Sequence, residues 1–365
     1  MIFSSFQHSS VAVSRRVRSN STDASLEIAD LKSSFRSFAV LTLGLCLANC
    51  AASMEVTSRD VTFRHDGVRL AATLYLPAAQ GSRPAMILMP GSGPQSRTPL
   101  AALARRFASH GLITLVYDKQ GVGKSGGDWT RESLDDLADD ALAGIRFLRA
   151  LPHVDAQRVG AWGISQSGWL IARVARKEPA LAFAICVTGG GATPREVEEY
   201  GYRSRLRHGG FGDTEWRAAW PLVQRYMDYL ATGRDRKGLL AAIAAAKGKK
   251  WSSALGLSRV IPSTAEREKW AWVATYDPAA DIRAMHMPVL VLLGGSDPFS
   301  PPDIAFRRWQ AGLAGAGNPR DLVVSFPTAG HGIRTNGHDM HARPNYAPGY
   351  VTLQLSWLRR NGVLN

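Results

Sequence analysis

Apolar residues follow two rhythms along this chain. The first is a set of short, nearly unbroken runs: Ala85–Met89 (AMILM), Leu112–Tyr117 (LITLVY), Val159–Ile164, Leu181–Thr188, Pro288–Leu293 (PVLVLL) and Leu322–Phe326. Short runs that scarcely alternate with polar residues predict β-strands buried on both faces. The second rhythm repeats every three or four residues between these runs. Leu100, Leu103, Ala104 and Phe107 mark a helix over Pro99–His110 that Gly111 stops. Leu134, Leu137, Ala138, Ala141, Leu142, Ile145 and Leu148 form one helical stripe, capped by Ser133 with Asp136 and ended by Pro152. Further helices follow over QSGWLIARVARK, around Asp303–Ala314 and over Tyr350–Arg360. Ahead of them all, VTFRH and VRLAATLYL meet at Asp66-Gly67, a two-residue hairpin signal. Strands alternating with helices predict an α/β fold, a mostly parallel, doubly wound sheet covered on both faces.

The alternation fails between about Ala192 and Pro278. Strand signals vanish there, and helical segments such as EWRAAWPLVQRYMDYLATG and KGLLAAIAAAKGKK replace them, with Gly209-Gly210 and Gly233 as hinges. The chain thus divides into an N-terminal extension with a signal peptide (1–53), a first part of the core (54–191), a helical insertion (192–280) and a second part of the core (281–365). The insertion's tryptophans, Trp216, Trp220, Trp251, Trp270 and Trp272, read mostly as its own core.

The N-terminal extension changes the expected address. A basic stretch, Lys32–Arg36, precedes the apolar run Phe38–Ala48, which is too short to span a bilayer, and small residues follow. That order is a secretory signal peptide, so an exported protein, periplasmic or secreted, is expected. It begins deep in the chain, which suggests a true start near Leu31. Leu47-Ala48-Asn49-Cys50 resembles a lipoprotein box, so the only expected membrane contact is a lipid anchor at Cys50. Of three cysteines only Cys186 lies beyond the signal, inside an apolar strand, and no internal disulfide is expected. The net charge of +14 is spread along the chain without a basic block, so no nucleic-acid partner is expected.

Candidate chemistry centres on Arg158–Gly168, RVGAWGISQSG. A strand ends at a serine and turns at once into a helix, as a nucleophile elbow does, with small residues at Gly163 and Ser167 flanking Ser165. A serine hydroxyl needs a base, and the base an orienting acid. Ligands gather beyond the carboxyl ends of parallel strands, so both should follow later strands. Asp297 does, in GGSDPF, and so does His331, in AGHG. Asp281 and Asp303 are rival acids; His338 and His341 are rival bases. The three histidines with Asp339 match no familiar zinc spacing, and no metal is expected. The oxyanion needs two N–H donors. Gln166, just after the nucleophile, offers one; Ser92 or its neighbour Gly93, in the loop after AMILM, offers the other. DKQGVGKSGG contains G-x-G-x-x-G and GKS, but neither sits between strand and helix as a phosphate loop does, so no cofactor is expected.

With PGSGP, YDKQGVGKSGG, GISQSG, YDPAADIRAMHMPVLVLLGGSDPF and AGHG in place, the chain resembles the α/β-hydrolase superfamily. It is most similar to bacterial serine esterases related to dienelactone hydrolase and the prolyl-oligopeptidase catalytic domain. The resemblance covers Val56 to the C-terminus apart from the insertion. It implies that the insertion is a cap shaping the pocket, and that Asp118 is structural. Two departures stand out: Ser167 where glycine is usual, and PGSG where many members begin with histidine. The expected activity is cleavage of small carboxylic esters, with a peptidase as alternative and a non-catalytic binding protein as a further one. Nothing in the residues points to an oligomeric state.

Overall fold

The computed structural model describes residues 53–257, 261–336 and 344–365. The expected signal segment with Cys46 and Cys50, and the residues His338, Asp339 and His341, lie outside the described residues.

Among the described residues, eight strands form one sheet: β1 (Val56–His65), β2 (Val68–Pro77), β3 (Arg83–Met89), β4 (Ile113–Tyr117), β5 (Val154–Ile164), β6 (Ala184–Val187), β7 (Val289–Gly294) and β8 (Leu322–Phe326). Their spatial order is β1-β2-β4-β3-β5-β6-β7-β8. β1 and β2 form the expected hairpin, turning on Asp66 and Gly67 at φ 44° and 77°, the left-handed pair such a turn demands. β2 is antiparallel to β4; every later pairing is parallel.

Alternate side chains of each strand enter different layers. Ile87 and Met89 pack with α2 (Leu134–Arg149), α3 (Ser167–Lys177) and α11 (Pro302–Ala316). Met86 and Leu88 pack with α1 (Ala101–Ala108) and α12 (Tyr350–Arg360) on the opposite face. The α2 stripe is buried throughout, and Ser133 and Asp136 form a reciprocal capping box. Two boundaries differ from expectation. The helix before β4 opens with a 3₁₀ turn at Thr98–Leu100, where Pro99 is tolerated because a first-turn N–H has no partner in the helix. The run Leu181–Thr188 contributes only Ala184–Val187 to the ladder.

Among the described residues, seven α-helices lie between β6 and β7: α4 (Pro194–His208), α5 (Asp213–Thr232), α6 (Arg236–Ala246), α7 (Ser252–Leu255), α8 (Thr264–Trp270), α9 (Trp272–Thr275) and α10 (Ala279–Arg283). Not every tryptophan of the insertion serves the insertion's own core. Trp216 and Trp220 pair within α5, but Trp270 meets Trp129 edge-on at 6.1 Å and Trp272 meets Trp169 of α3 at 5.9 Å. Lys269 adds a 2.7 Å ion pair to Asp136 of α2. The last helices of the insertion are thus fastened to the layer that carries the elbow.

Candidate active site

β5 delivers Ser165 in a left-handed conformation, φ 59°, that costs a non-glycine residue about 1–3 kcal/mol. The surroundings hold it there. Its N–H donates to the Val187 carbonyl at 2.9 Å, and its own carbonyl accepts from Gly168 N–H at 2.9 Å. A Cβ on Gly168 would overlap the Gly189 backbone, and one on Gly189 would overlap the carbonyl of Ser165. Helix and strand ends are therefore in direct backbone contact, and only glycine fits at both positions.

Ser167, the departure from glycine, is fully buried and its hydroxyl donates to the Pro90 carbonyl. The extra side chain is accommodated because Gly163 opposite has none; a Cβ there would stand 2.5 Å from Ser167 Cβ. The hydroxyl ties the elbow to the loop after β3. That loop passes beside the nucleophile: a Cβ on Gly91 would lie 3.4 Å from Ser165 Cβ. Gly93 turns it with φ 79°. Ser92 and Gly93 follow that point of approach directly in the chain, and Gln166 caps the start of α3 next to the nucleophile.

Asp297 lies on the loop after β7 and is 3% exposed. Its Oδ1 accepts from the N–H groups of Phe299 and Ser300, at 2.8 and 3.2 Å. Its Oδ2 meets His331 Nδ1 at 2.8 Å. A carboxylate at Nδ1 keeps the proton on that nitrogen and leaves Nε2 as the acceptor. Phe299 packs edge-on against the imidazole, with centroids 5.1 Å apart. Gly332 donates to Thr188 Oγ1 at 3.0 Å and abuts Ile164, so the histidine loop is docked on the ends of β5 and β6. Asp297 and His331 are thus joined directly, whereas among the described residues no hydrogen bond links the Ser165 hydroxyl to the imidazole. Such bonds commonly tighten only when substrate arrives.

Neither rival acid meets the histidine. Asp281 is buried between Arg173 at 3.1 Å, Arg176 at 2.9 Å and the Tyr276 hydroxyl at 2.7 Å. Asp303 is exposed in the first turn of α11. Among the described residues no group of His, Cys, Asp and Glu is placed to hold a metal.

The glycine string after β4 serves a carboxylate. Asp118 accepts from Arg97 N–H at 2.8 Å and Lys124 N–H at 3.0 Å, and so pins the loop after β3 to its own turn. Gly123 has φ 58°, and a Cβ there would overlap the Asp118 carboxylate.

Two features escape sequence reasoning. Tyr200 of α4 donates from its hydroxyl to the Asp297 carbonyl at 3.0 Å, so the insertion touches the acid's loop. A buried polar cluster also lies behind the elbow. Lys119 Nζ donates to Gln166 Oε1 at 2.8 Å, and Asp140 receives His65 Nδ1 at 2.8 Å and Gln120 Nε2 at 3.1 Å. Burial brings the Lys119 ammonium down to about 8 against the pull of Glu132 and Asp140. Burial and the Asp140 charge push Glu132 well above the carboxylate range, and both of its carboxyl oxygens are buried with no hydrogen-bond partner among the described residues. The only sequence signal was an acid, Asp140, placed among the apolar residues of α2.

The profile of the X-Pro dipeptidyl-peptidase (S15 family) matches residues 66–317. A quorum-quenching protein, AidA of Acinetobacter baumannii, is 34% identical over 128 residues, covering 34% of this chain and 42% of that protein. A thiohydrolase, aneE of Aspergillus aculeatus, is 32% identical over 117 residues, covering 31% of this chain and 36% of the other. Each match therefore spans less than half of the relative. Among solved structures, the α/β-hydrolase GrgF from Penicillium superposes with a TM-score of 0.54 at 18% identity, covering 84% of this chain and 99% of the other.

Proposed function

The chain belongs to the X-Pro dipeptidyl-peptidase (S15) family, within the α/β-hydrolase superfamily, and on that footing we propose that it is a serine hydrolase of small carboxylic esters. The observation that carries this reading is the Asp297–His331 pair, whose histidine loop is docked at the ends of β5 and β6, where β5 hands over to a serine in the strained conformation of a nucleophile elbow. Ser165 Oγ attacks the acyl carbon while His331 Nε2 takes its proton, and Asp297 stabilises the imidazolium. The oxyanion is met by the N–H of Gln166 and that of Ser92 or Gly93. The imidazolium protonates the leaving alcohol, and water, activated by the same histidine, releases the acid and restores Ser165. None of these steps calls for a metal or cofactor. The thiohydrolase relative favours an acyl carbon as target, since thioesters and esters present the same electrophile.

The family's own description favours a second reading, a serine peptidase. A panel of p-nitrophenyl acyl esters beside aminoacyl p-nitroanilides separates the two. Ester turnover, lost by at least 10³-fold in Ser165→Ala, is the expected result. Turnover surviving that substitution would remove Ser165 from the mechanism. A protein that neither turns over substrate nor reacts with a fluorophosphonate would be a binding module. We also propose export, on the strength of the N-terminal pattern; N-terminal sequencing and mass analysis of the product test the signal and the anchor at Cys50.

A further inference from the structure

We propose that Lys119 is a positioning residue that holds the two donor segments of the oxyanion site together. The inference rests on the acyl-transfer reading above. Lys119 follows β4 and is 2% exposed, so its ammonium has exchanged water for protein. Such a charge is costly to bury. Yet the hydrogen bond it makes, at 2.8 Å, is to a neutral amide, the side chain of Gln166. Gln166 is the residue whose peptide N–H follows the nucleophile. Lys119 also reaches the other segment, because its own N–H donates to the Gln95 carbonyl at 3.2 Å. Next to it, Asp118 takes Arg97 N–H. One dipeptide therefore clamps the loop carrying Ser92 and Gly93, and through the lysine side chain the elbow as well.

The charged and titratable groups around the ammonium are Glu132, ahead of α2, Asp140 of α2 and, behind Asp140, His65 of β1 and Tyr117 of β4. Charge on the Glu132 and Asp140 pair opposes the fall that burial causes, and at about 8 the ammonium stays protonated at neutral pH. The positive charge therefore sits one side chain away from the point where negative charge develops on the substrate oxygen. It is preset before reaction, which is where an electrostatic contribution costs least. Gln166 is the relay: a shift of its side chain moves the N–H that must meet the oxyanion.

The test measures p-nitrophenyl acetate turnover per fluorophosphonate-titrated site in wild type, Lys119→Met, Gln166→Met and the double variant of the full chain. Each single change is expected to lower kcat on the order of 10- to 100-fold with KM within about threefold, as for a small misplacement of a transition-state donor. The double variant should be no worse than the poorer single, because both act through one contact. A merely structural lysine would lower the melting temperature and the titrated fraction while leaving kcat per site intact, and that result overturns the proposal. Losses that multiply in the double variant overturn it too. Should Lys119→Met fail to fold, Gln166→Met, which leaves the lysine and its acids in place, decides alone. Ser165→Ala separates the two levels: if it is inert while both singles keep wild-type kcat, only the Lys119 assignment falls.

Discussion

The residues that define this site differ in how much of their role is local. Ser165, Asp297 and His331 announce themselves, since each sits just past an apolar run and is flanked by small residues. Glu132 does not. Its burial beside Asp140 depends on partners brought together from β4, α2 and β1, and no spacing along the chain reports that. Its behaviour leads to a pH prediction. Burial raises the folded-state pKa above the ordinary value of 4.5, so its stabilising contribution is complete below that value and is lost as pH climbs. The slope from one proton reaches at most about 1.4 kcal/mol per pH unit. Glu132→Gln keeps a hydrogen-bonding amide and removes the titration. Urea unfolding between pH 5.5 and 7.5 should therefore fall more steeply for wild type than for the variant. That range stays below the point near 8 where Lys119 adds a slope of opposite sign. Parallel curves would mean the carboxyl is already ionised.

At the scale of elements the sequence was most legible. Unbroken apolar runs and a period of three to four named the strands and helices of the core, because each buries surface that its own composition supplies. What the pattern missed were ends and contacts: the 3₁₀ opening of the helix before β4, the shortened β6, and the reason for Ser167. The elbow is the most demanding junction. Gly168 packs on the backbone of Gly189, and no neighbouring side chain can yield. Gly168→Ala should cost about 1–3 kcal/mol or more, and should lower turnover by displacing α3 and with it Gln166. Chemical denaturation and initial rates measure both. Stability and rate both unchanged would show that α3 can slide without consequence.

At the scale of the whole molecule the insertion matters most. Its helices could be read along the chain, but their attachment could not. Trp272 on Trp169 and Trp270 on Trp129 join the end of the insertion to the helical layer beneath the elbow. Trp272→Ala removes a ring that is 8% exposed and should cost about 3–5 kcal/mol, with protease cleavage appearing first between residues 194 and 283. Trp272→Phe keeps an aromatic ring and discards an indole N–H that has no hydrogen-bond partner, so it should be far milder. Cleavage that begins in the sheet layer instead would show that the tryptophans do not fasten the insertion.

By itself, the order of apolar and polar residues determined the α/β class, the elements of the core, the helical insertion and the three side chains proposed for the chemistry. Those features follow from periodicity and from loops next to strand ends, both of which are local. Tertiary structure alone decided that Asp281 serves two arginines while Asp297 serves a histidine. It alone placed the Ser167 hydroxyl on Pro90 and the Lys119 ammonium on Gln166. These are contacts across tens of residues, 47 in the last case, and their energies depend on burial that only the packed sheet creates.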